Sequence, residues 1–492
     1  MADTGVSPVE QAKAAGIKLL KEHAVIGGRR APVGAKFIEV DNPSNGRVIG
    51  VIPDLEPADV QAAIQAAADA FPAWSKTPQV ERAALMRKWA ALIDENEIGL
   101  AALMATENGK PFEEAKGEVR YANSFIKWFA GVAESLHGES MESPTKGMTI
   151  LSLKEPVGPA ALITPWNFPA AMITRKVGPA FAAGCTVVIK PAHQTPFTAI
   201  ALVDLALEAG IPEGVINLVT GQPGAVGEVL TASPLIRKLS FTGSTPVGRT
   251  LMAQCAPTLK RLSMELGGAA PLVVFDDADI ELAVAETIKG KFRNSGQTCV
   301  CPNRVYVQRG VYHAYLEGLT AAVSALKLGD AFEPDVKVGP LIDRKGLEKV
   351  KRHVAWALEH GSKVTTGGTP ARQEGLFYTP TVLAGGDDSL FREEETFGPV
   401  VPVFAFDTEE EALQRCNSSD YGLASYFFTR DLDRTMRVAR ALEDGIVGMN
   451  TGLISNAAVP FGGVKQSGFG REGSLYGIDE YLSVKSVTLA LK

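Results

Sequence analysis

Cysteine and histidine are scarce: five cysteines and six histidines in 492 residues. The cysteines (Cys185, Cys255, Cys299, Cys301 and Cys416) are odd in number and scattered. That argues against a disulfide framework and for a reducing compartment. No Cys/His spacing of a metal site is present, and no histidine falls near Cys299. Basic runs are missing, with a net charge of −7 and a pI of about 5.6, so nucleic acid is not an expected partner. The longest uncharged run, Pro156 to Thr174, carries four prolines and Asn167 and does not read as a membrane span. The N-terminus shows neither an apolar signal core nor an Arg-rich presequence. These gaps lead us to expect a soluble cytoplasmic protein. The stretch of alternating strands and helices, Ala160 to Cys255, holds no GxGxxG.

What is present is a large apolar fraction, 46% of residues. The chain is too long for one core, so two or three domains are expected. Residues 37–52 read as a strand, an Asn-Gly turn and a second strand. Helical periodicity covers Pro57–Trp74, Glu81–Glu95, Gly99–Asn108 and Glu113–Ser135. Residues 138–155 read as a polar hairpin standing off that body. Short apolar strands then alternate with helices from Ala160 to Cys255, which means βαβ units and a parallel sheet. The carboxyl ends of those strands gather polar and glycine residues on one edge, where such sheets bind ligands. A second α/β region runs from Pro271 to about Asn450, and Tyr481–Leu491 reads as a last strand seeking a sheet edge, here on another subunit.

Four features carry chemistry. Cys299 lies in the small-residue loop of Lys291-Phe-Arg-Asn-Ser-Gly-Gln-Thr-Cys299 and reads either as a half-buried structural thiol or as a nucleophile. Glu265 lies in an apolar stretch before Gly267 and Gly268, as a salt-bridged glutamate or a general base. Asn167 reads as a helix N-cap or as an amide donor to an oxyanion. Gly221-Gln-Pro-Gly224 and Phe241-Thr-Gly243-Ser244 could each end a strand and open a helix, where free N–H groups attract phosphate.

Phe241-Thr-Gly-Ser-Thr245, Met264-Glu-Leu-Gly-Gly268, Gly296-Gln-Thr-Cys299, Pro165-Trp-Asn-Phe168, Ile189-Lys-Pro191 and Glu395-Thr-Phe-Gly-Pro399 resemble the motifs of the NAD(P)-dependent aldehyde dehydrogenases. The likeness covers nearly the whole chain, in the family's order. It implies an α/β fold: a Rossmann-type cofactor domain (1–137 and 156–266), an α/β catalytic domain (267–450), a β oligomerisation arm (138–155 and 475–492) and a substrate-pocket segment (451–474). It implies Cys299 as nucleophile, Glu265 as the base of hydrolysis and Asn167, with the Cys299 N–H, as oxyanion donor. It places Thr164, Trp166, Lys190, His193, Gly224, Gly243, Ser244, Leu266, Glu395 and Phe397 at the cofactor. Ala269 departs from the Asn or Lys that many relatives carry there.

Ile173-Thr-Arg175-Lys, Lys291-Phe-Arg293-Asn, Thr451-Gly-Leu-Ile-Ser455-Asn and Cys299-Val-Cys301-Pro-Asn-Arg304 look like the succinate-semialdehyde dehydrogenases within that family. The resemblance implies that Arg175, Arg293 and Ser455 bind a distal carboxylate; either arginine could instead serve a salt bridge. Glutarate semialdehyde is the rival substrate. A binding protein that kept the fold without turnover is the rival of another class. Acyl transfer to coenzyme A is a third, opposed by Glu265. Many NAD-preferring relatives continue Lys-Pro-Ala with Glu, whereas here His193 follows, so NADP is expected to be preferred over NAD. Cys301 is either packed or a disulfide partner that silences Cys299. A homodimer or homotetramer is expected.

Overall fold

The computed structural model describes residues 7–371 and 374–490. The expected end of the last strand, Leu491, lies outside them.

Two sheets organise the chain. The first has eight strands in the order Arg29–Pro32, His23–Ile26, Ile216–Leu218, Val187–Lys190, Ala160–Ile163, Lys238–Thr242, Arg261–Glu265, Gly468–Phe469. Its five central strands, from Ile216–Leu218 to Arg261–Glu265, pair in parallel. Val187–Lys190 is buried along its whole length, as expected for a strand covered on both faces. The crossover helices Pro196–Glu208, Pro223–Ala232 and Thr245–Cys255 each carry proline in their first turn, where the missing N–H costs nothing. The second sheet has seven strands and begins at Pro271–Val274; all its pairs are parallel except that of Lys363–Thr366 with Thr381–Ala384. The change of sheet falls between Glu265 and Pro271, which brings the end of one sheet against the loop before the other's Arg304–Gln308 strand.

The helices Gln79–Glu95, Glu97–Asn108 and Phe112–Ser135 lie close to the predicted spans. Phe112–Ser135 packs on Ala171–Ala183, burying Phe125, Phe129 and Phe181, each side chain worth about 2–3 kcal/mol of transfer free energy. That helix also carries the charged residues that reach the site.

Three features differ from expectation or were missed. The helix Pro8–Leu19 and the hairpin His23–Ile26/Arg29–Pro32 went unread, and the hairpin extends the first sheet antiparallel to Ile216–Leu218. The last strand, Leu482–Ala490, is not left to another subunit: it pairs with Met148–Pro156 of its own chain across nine positions. The helix that leads to Cys299, expected from the sequence over Ile280–Arg293, runs from Ile280 to Phe292 and so stops one residue early, and Arg293–Gly296 form a tight turn. Among the described residues no helix is long and apolar enough to cross a membrane.

Candidate active site

The loop carrying Cys299 is held in a conformation that most residues avoid. Asn294 and Ser295 adopt φ of 50° and 58°, and Gly296 adopts 76°. A Cβ at Gly296 would stand 2.2 Å from the Gly398 carbonyl oxygen, so glycine is required there. Buried bonds hold the turn. Asn294 N–H donates to Glu114 Oε1 (2.7 Å), Ser295 Oγ donates to Gly339 O (3.0 Å), and Ile342 N–H donates to Gln297 Oε1 (2.9 Å). Strain this well supported marks a positioned loop. Gly268 lets the chain beyond Glu265 approach it, since a Cβ there would meet the Cys299 carbonyl oxygen at 2.9 Å.

Cys299 is half-buried. Its surroundings do not favour the thiolate: burial, then the nearby Glu395, push the thiol up to about 12, with Arg175 acting the other way. Cys301 is buried, its sulfur against Gly296 O at 3.3 Å and Lys291 Nζ at 3.7 Å, and both cysteines are free thiols.

Asn167 does not cap a helix; the following helix, Ala171–Ala183, starts from Ala170 without a side-chain cap. Its Nδ2 donates to Gln297 O at 3.1 Å, beside the Cys299 loop. Its carbonyl accepts from Lys110 Nζ (3.0 Å) and Asn294 Nδ2 (2.8 Å), and Lys110 is ion-paired with Glu118, which accepts from Ala170 N–H (3.0 Å). This buried network binds the two loops to Phe112–Ser135.

Glu265 ends the strand Arg261–Glu265 and is 2% exposed. Both its carboxyl oxygens lack a hydrogen-bond partner among the described residues. Burial, then the neighbouring Glu472, hold its carboxyl well above the usual range, against Arg175, Lys176 and Arg471. Glu472 was missed by sequence reasoning, as was Lys176. Glu472 Oε1 is 2.5 Å from Lys176 Nζ, and Oε2 is 2.8 Å from Arg175 Nη2. Burial would raise Glu472, but Lys176 and then Arg175 outweigh it and keep it below its ordinary value. The available signal was Arg175-Lys176 inside an otherwise apolar helix: two adjacent buried cations demand a carboxylate.

Two recesses meet at Cys299. On one side is a cleft of about 500 Å³ lined by Trp166, Asn167, Gly243, Ser244, Leu266, Glu395 and Phe397, together with Lys349 and Lys345, which sequence reasoning missed. Trp166 and Phe397 meet edge-on there, 5.5 Å between ring centres. Glu395 Oε1 has no hydrogen-bond partner among the described residues, and burial pushes its carboxyl up to about 8. Thr164, Lys190 and His193 stand further along the same sheet edge; Thr164 N–H donates to Lys190 O at 3.1 Å. Burial pushes Lys190 to about 8, and burial followed by Lys190 lowers His193, leaving it neutral at pH 7. Gly224 is exposed in the first turn of Pro223–Ala232 and is not part of that lining. On the other side, Arg175, Arg293 and Ser455 converge with Tyr121, Phe168 and Phe461 around a narrow cavity that also touches Cys299. A larger hollow near His23 and Asp204 is remote from all these groups.

A thiol, a buried carboxyl and a side-chain amide at one point, beside a cleft of nucleotide size, fit oxidoreductases that work through a cysteine. A model of the aldehyde dehydrogenase family matches residues 31–487. The chain is 51% identical over 475 residues to the succinate-semialdehyde dehydrogenase [NADP(+)] GabD of Escherichia coli, covering 96% of this chain and 98% of that one. It is 51% identical over 476 residues to a glutarate-semialdehyde dehydrogenase of Pseudomonas putida, covering 96% and 99%. A crystal structure of succinate-semialdehyde dehydrogenase from Burkholderia pseudomallei superposes with a TM-score of 0.95 at 50% identity, covering 96% and 99%. The chain belongs to the aldehyde dehydrogenase family.

Proposed function

We propose that this chain oxidises succinate semialdehyde to succinate, with NADP preferred over NAD. The observation that carries the substrate is the narrow cavity at Cys299, whose lining brings together Arg175, Arg293 and Ser455. Guanidinium forks grip a carboxylate with fixed geometry. Arg293 has no salt-bridge partner among the described residues and its Nε lacks a hydrogen bond, so a substrate anion would satisfy it.

Cys299 attacks the aldehyde carbon as the thiolate. The oxyanion is held by the Asn167 amide and the Cys299 backbone N–H. The Glu395 carboxyl, whose Oε1 lacks a hydrogen-bond partner among the described residues, and the cleft between Trp166 and Ser244 suit a nicotinamide dinucleotide, with Glu395 on a ribose and Gly243 and Ser244 near phosphate. When bound, it supplies the hydride acceptor. Glu265 then takes a proton from the water that hydrolyses the thioester. Lys190 offers a cation, and His193 no repulsion, to the 2′-phosphate of NADP.

Glutarate semialdehyde is the second reading, favoured by the equal likeness of the Pseudomonas putida relative. One methylene is worth about 1–3 kcal/mol, so the two differ in degree. The segments Glu139–Glu142, Met148–Pro156 and Leu482–Ala490 form a three-stranded sheet, which we assign to assembly of a homodimer or homotetramer; light scattering tests it. A panel of aldehydes with NAD and NADP, read by reduced nicotinamide, tests the rest. The highest kcat/KM is expected for succinate semialdehyde with NADP, and an uncharged aldehyde equal to it would overturn the substrate reading.

A further inference from the structure

Arg175 belongs to two structures at once. It lines the cavity at Cys299, between the rings of Phe461 (3.9 Å) and Phe125 (5.6 Å), and it is ion-paired to Glu472 at 2.8 Å. That pair is not aligned as a hydrogen bond: Arg175 Nε and Nη2 and Glu472 Oε2 are all buried without one among the described residues. The other oxygen of Glu472 is firmly held by Lys176, which also donates to Ser240 Oγ at 3.0 Å. Glu265 is one short turn away, because Gly468–Phe469 pairs with Met264 and Glu265 and the chain reaches Glu472 directly afterwards. The charged groups facing Glu265 are Glu472, Arg175, Lys176 and Arg471, with the Cys299 thiol beside it. Those facing Glu472 are Lys176, Arg175, Lys238 and the Tyr481 phenol.

Given the reading above, in which a distal carboxylate is bound in this cavity, we propose that Arg175 couples recognition of that carboxylate to the hydrolytic half-reaction, by sharing its guanidinium between the substrate and Glu472. Hydrolysis forms a C–O bond from water to the thioester carbon and breaks the C–S bond. The sulfur leaves with the electron pair as thiolate, and one water proton passes to Glu265. A substrate carboxylate on Arg175 withdraws the cation that favours the ionised form of Glu265. It also loosens Arg175 from Glu472, whose charge then weighs more on its neighbour. Both changes raise the proton affinity of Glu265, since a like charge disfavours ionisation, and so make it the stronger base. An uncharged aldehyde leaves the Arg175–Glu472 pair intact. The anionic end of the substrate thus adjusts the base that releases its own acyl group, while Arg293 serves binding alone.

The test uses the full-length enzyme with NADP and follows the hydrolysis phase after the burst of reduced nicotinamide, against pH, at saturating succinate semialdehyde and at saturating butanal. The acid limb for succinate semialdehyde should lie higher by about half a pH unit or more. Arg293→Gln should raise KM for the charged aldehyde yet keep that gap. Arg175→Gln should close it. Arg175→Lys, which keeps the charge but cannot span two carboxylates, should narrow it and serves if the glutamine variant does not fold. Coinciding limbs in the wild type, or an undiminished gap in either Arg175 variant, would overturn the coupling. Equal kcat/KM for the two aldehydes would overturn the carboxylate reading and the coupling with it; unequal kcat/KM with coinciding limbs would overturn the coupling alone.

Discussion

The two recesses that meet at Cys299 are built on opposite lines. The cleft proposed for the cofactor offers about 500 Å³ and is walled by loops from both sheets. The cavity proposed for the substrate is a narrow slot of about 10 Å³, room for one water at most, and holds two cations among aromatic rings. A wide cleft discriminates through a few groups at its rim. A narrow cavity discriminates through what fills it: Arg293 is half-buried over the Phe168 ring at 5.0 Å, with Glu114 as its neighbouring carboxylate, and its buried Nε has no hydrogen-bond partner among the described residues, a donor that a ligand anion would satisfy.

Removing the thiol where the two recesses meet should have the largest effect on turnover. Cys299→Ala should lower turnover on the order of 10⁴-fold or more, the scale of losing a nucleophile, while cofactor binding followed by fluorescence quenching stays intact. Near wild-type turnover in that variant would end the mechanism proposed here. Glu265→Gln should separate the half-reactions, with a full burst of reduced nicotinamide and a steady rate lower by roughly 10²–10⁴-fold. Loss of the burst to the same degree would show that Glu265 acts before hydride transfer.

Breaking the cavity alone should be milder and selective. Arg293→Ala should raise KM for succinate semialdehyde by about 30-fold or more, the cost of truncating one partner of a buried charge pair, with little change for butanal. Equal losses for both aldehydes would make Arg293 a structural residue.

The thiol itself gives a pH test on the cofactor-free enzyme. Because burial and Glu395 raise Cys299 to about 12, the thiolate fraction should climb about tenfold per pH unit across the neutral range. Inactivation of the cofactor-free enzyme by iodoacetamide should therefore keep accelerating at pH 9.5. A plateau near pH 7 would reveal an activating group that the buried surroundings do not supply.

How much of this could be read in advance depended on the kind of interaction. Pro57–Trp74 was legible to the residue because an Ala-rich amphipathic helix with Pro at its start is a local pattern. The βαβ rhythm was legible because buried parallel strands are continuous apolar runs. The hairpin at His23–Pro32 was not, since only His23–Ile26 is buried and Arg29–Pro32 is an exposed edge without an apolar pattern. At the site, Cys299, Glu265 and Asn167 stood in recognisable motifs. Glu472 stood in a glycine-rich turn and gained its meaning only from Arg175 and Lys176, about 300 residues earlier in the chain. A pairing across that separation has no local trace. The same holds for the Cys299 environment: Glu395 and Arg175, which move its thiol in opposite directions, come from distant segments.

The smallest effect is expected on the cofactor side alone. His193 is half-buried and neutral at pH 7, lowered by burial and by Lys190. It therefore neither attracts nor repels a 2′-phosphate strongly, and the proposed attraction rests on Lys190, since Asp343 and Lys345, both close to His193, act in opposite directions. Burial holds Lys190 near 8, so its charge is present at pH 7 and declines above pH 8; a bound phosphate would raise that value and favour the cation. A glutamate at 193 would place a carboxylate against the same phosphate, and that repulsive element sets the direction of the switch. His193→Glu should shift the kcat/KM ratio towards NAD by about tenfold, equivalent to about 1.4 kcal/mol, without altering the preference between succinate semialdehyde and butanal. In the wild type, the advantage of NADP should fall as pH rises from 7 to 9, because Lys190 loses its proton in the free enzyme. A strong wild-type preference for NAD that this substitution leaves untouched would show that the cleft reads the ribose at a different residue.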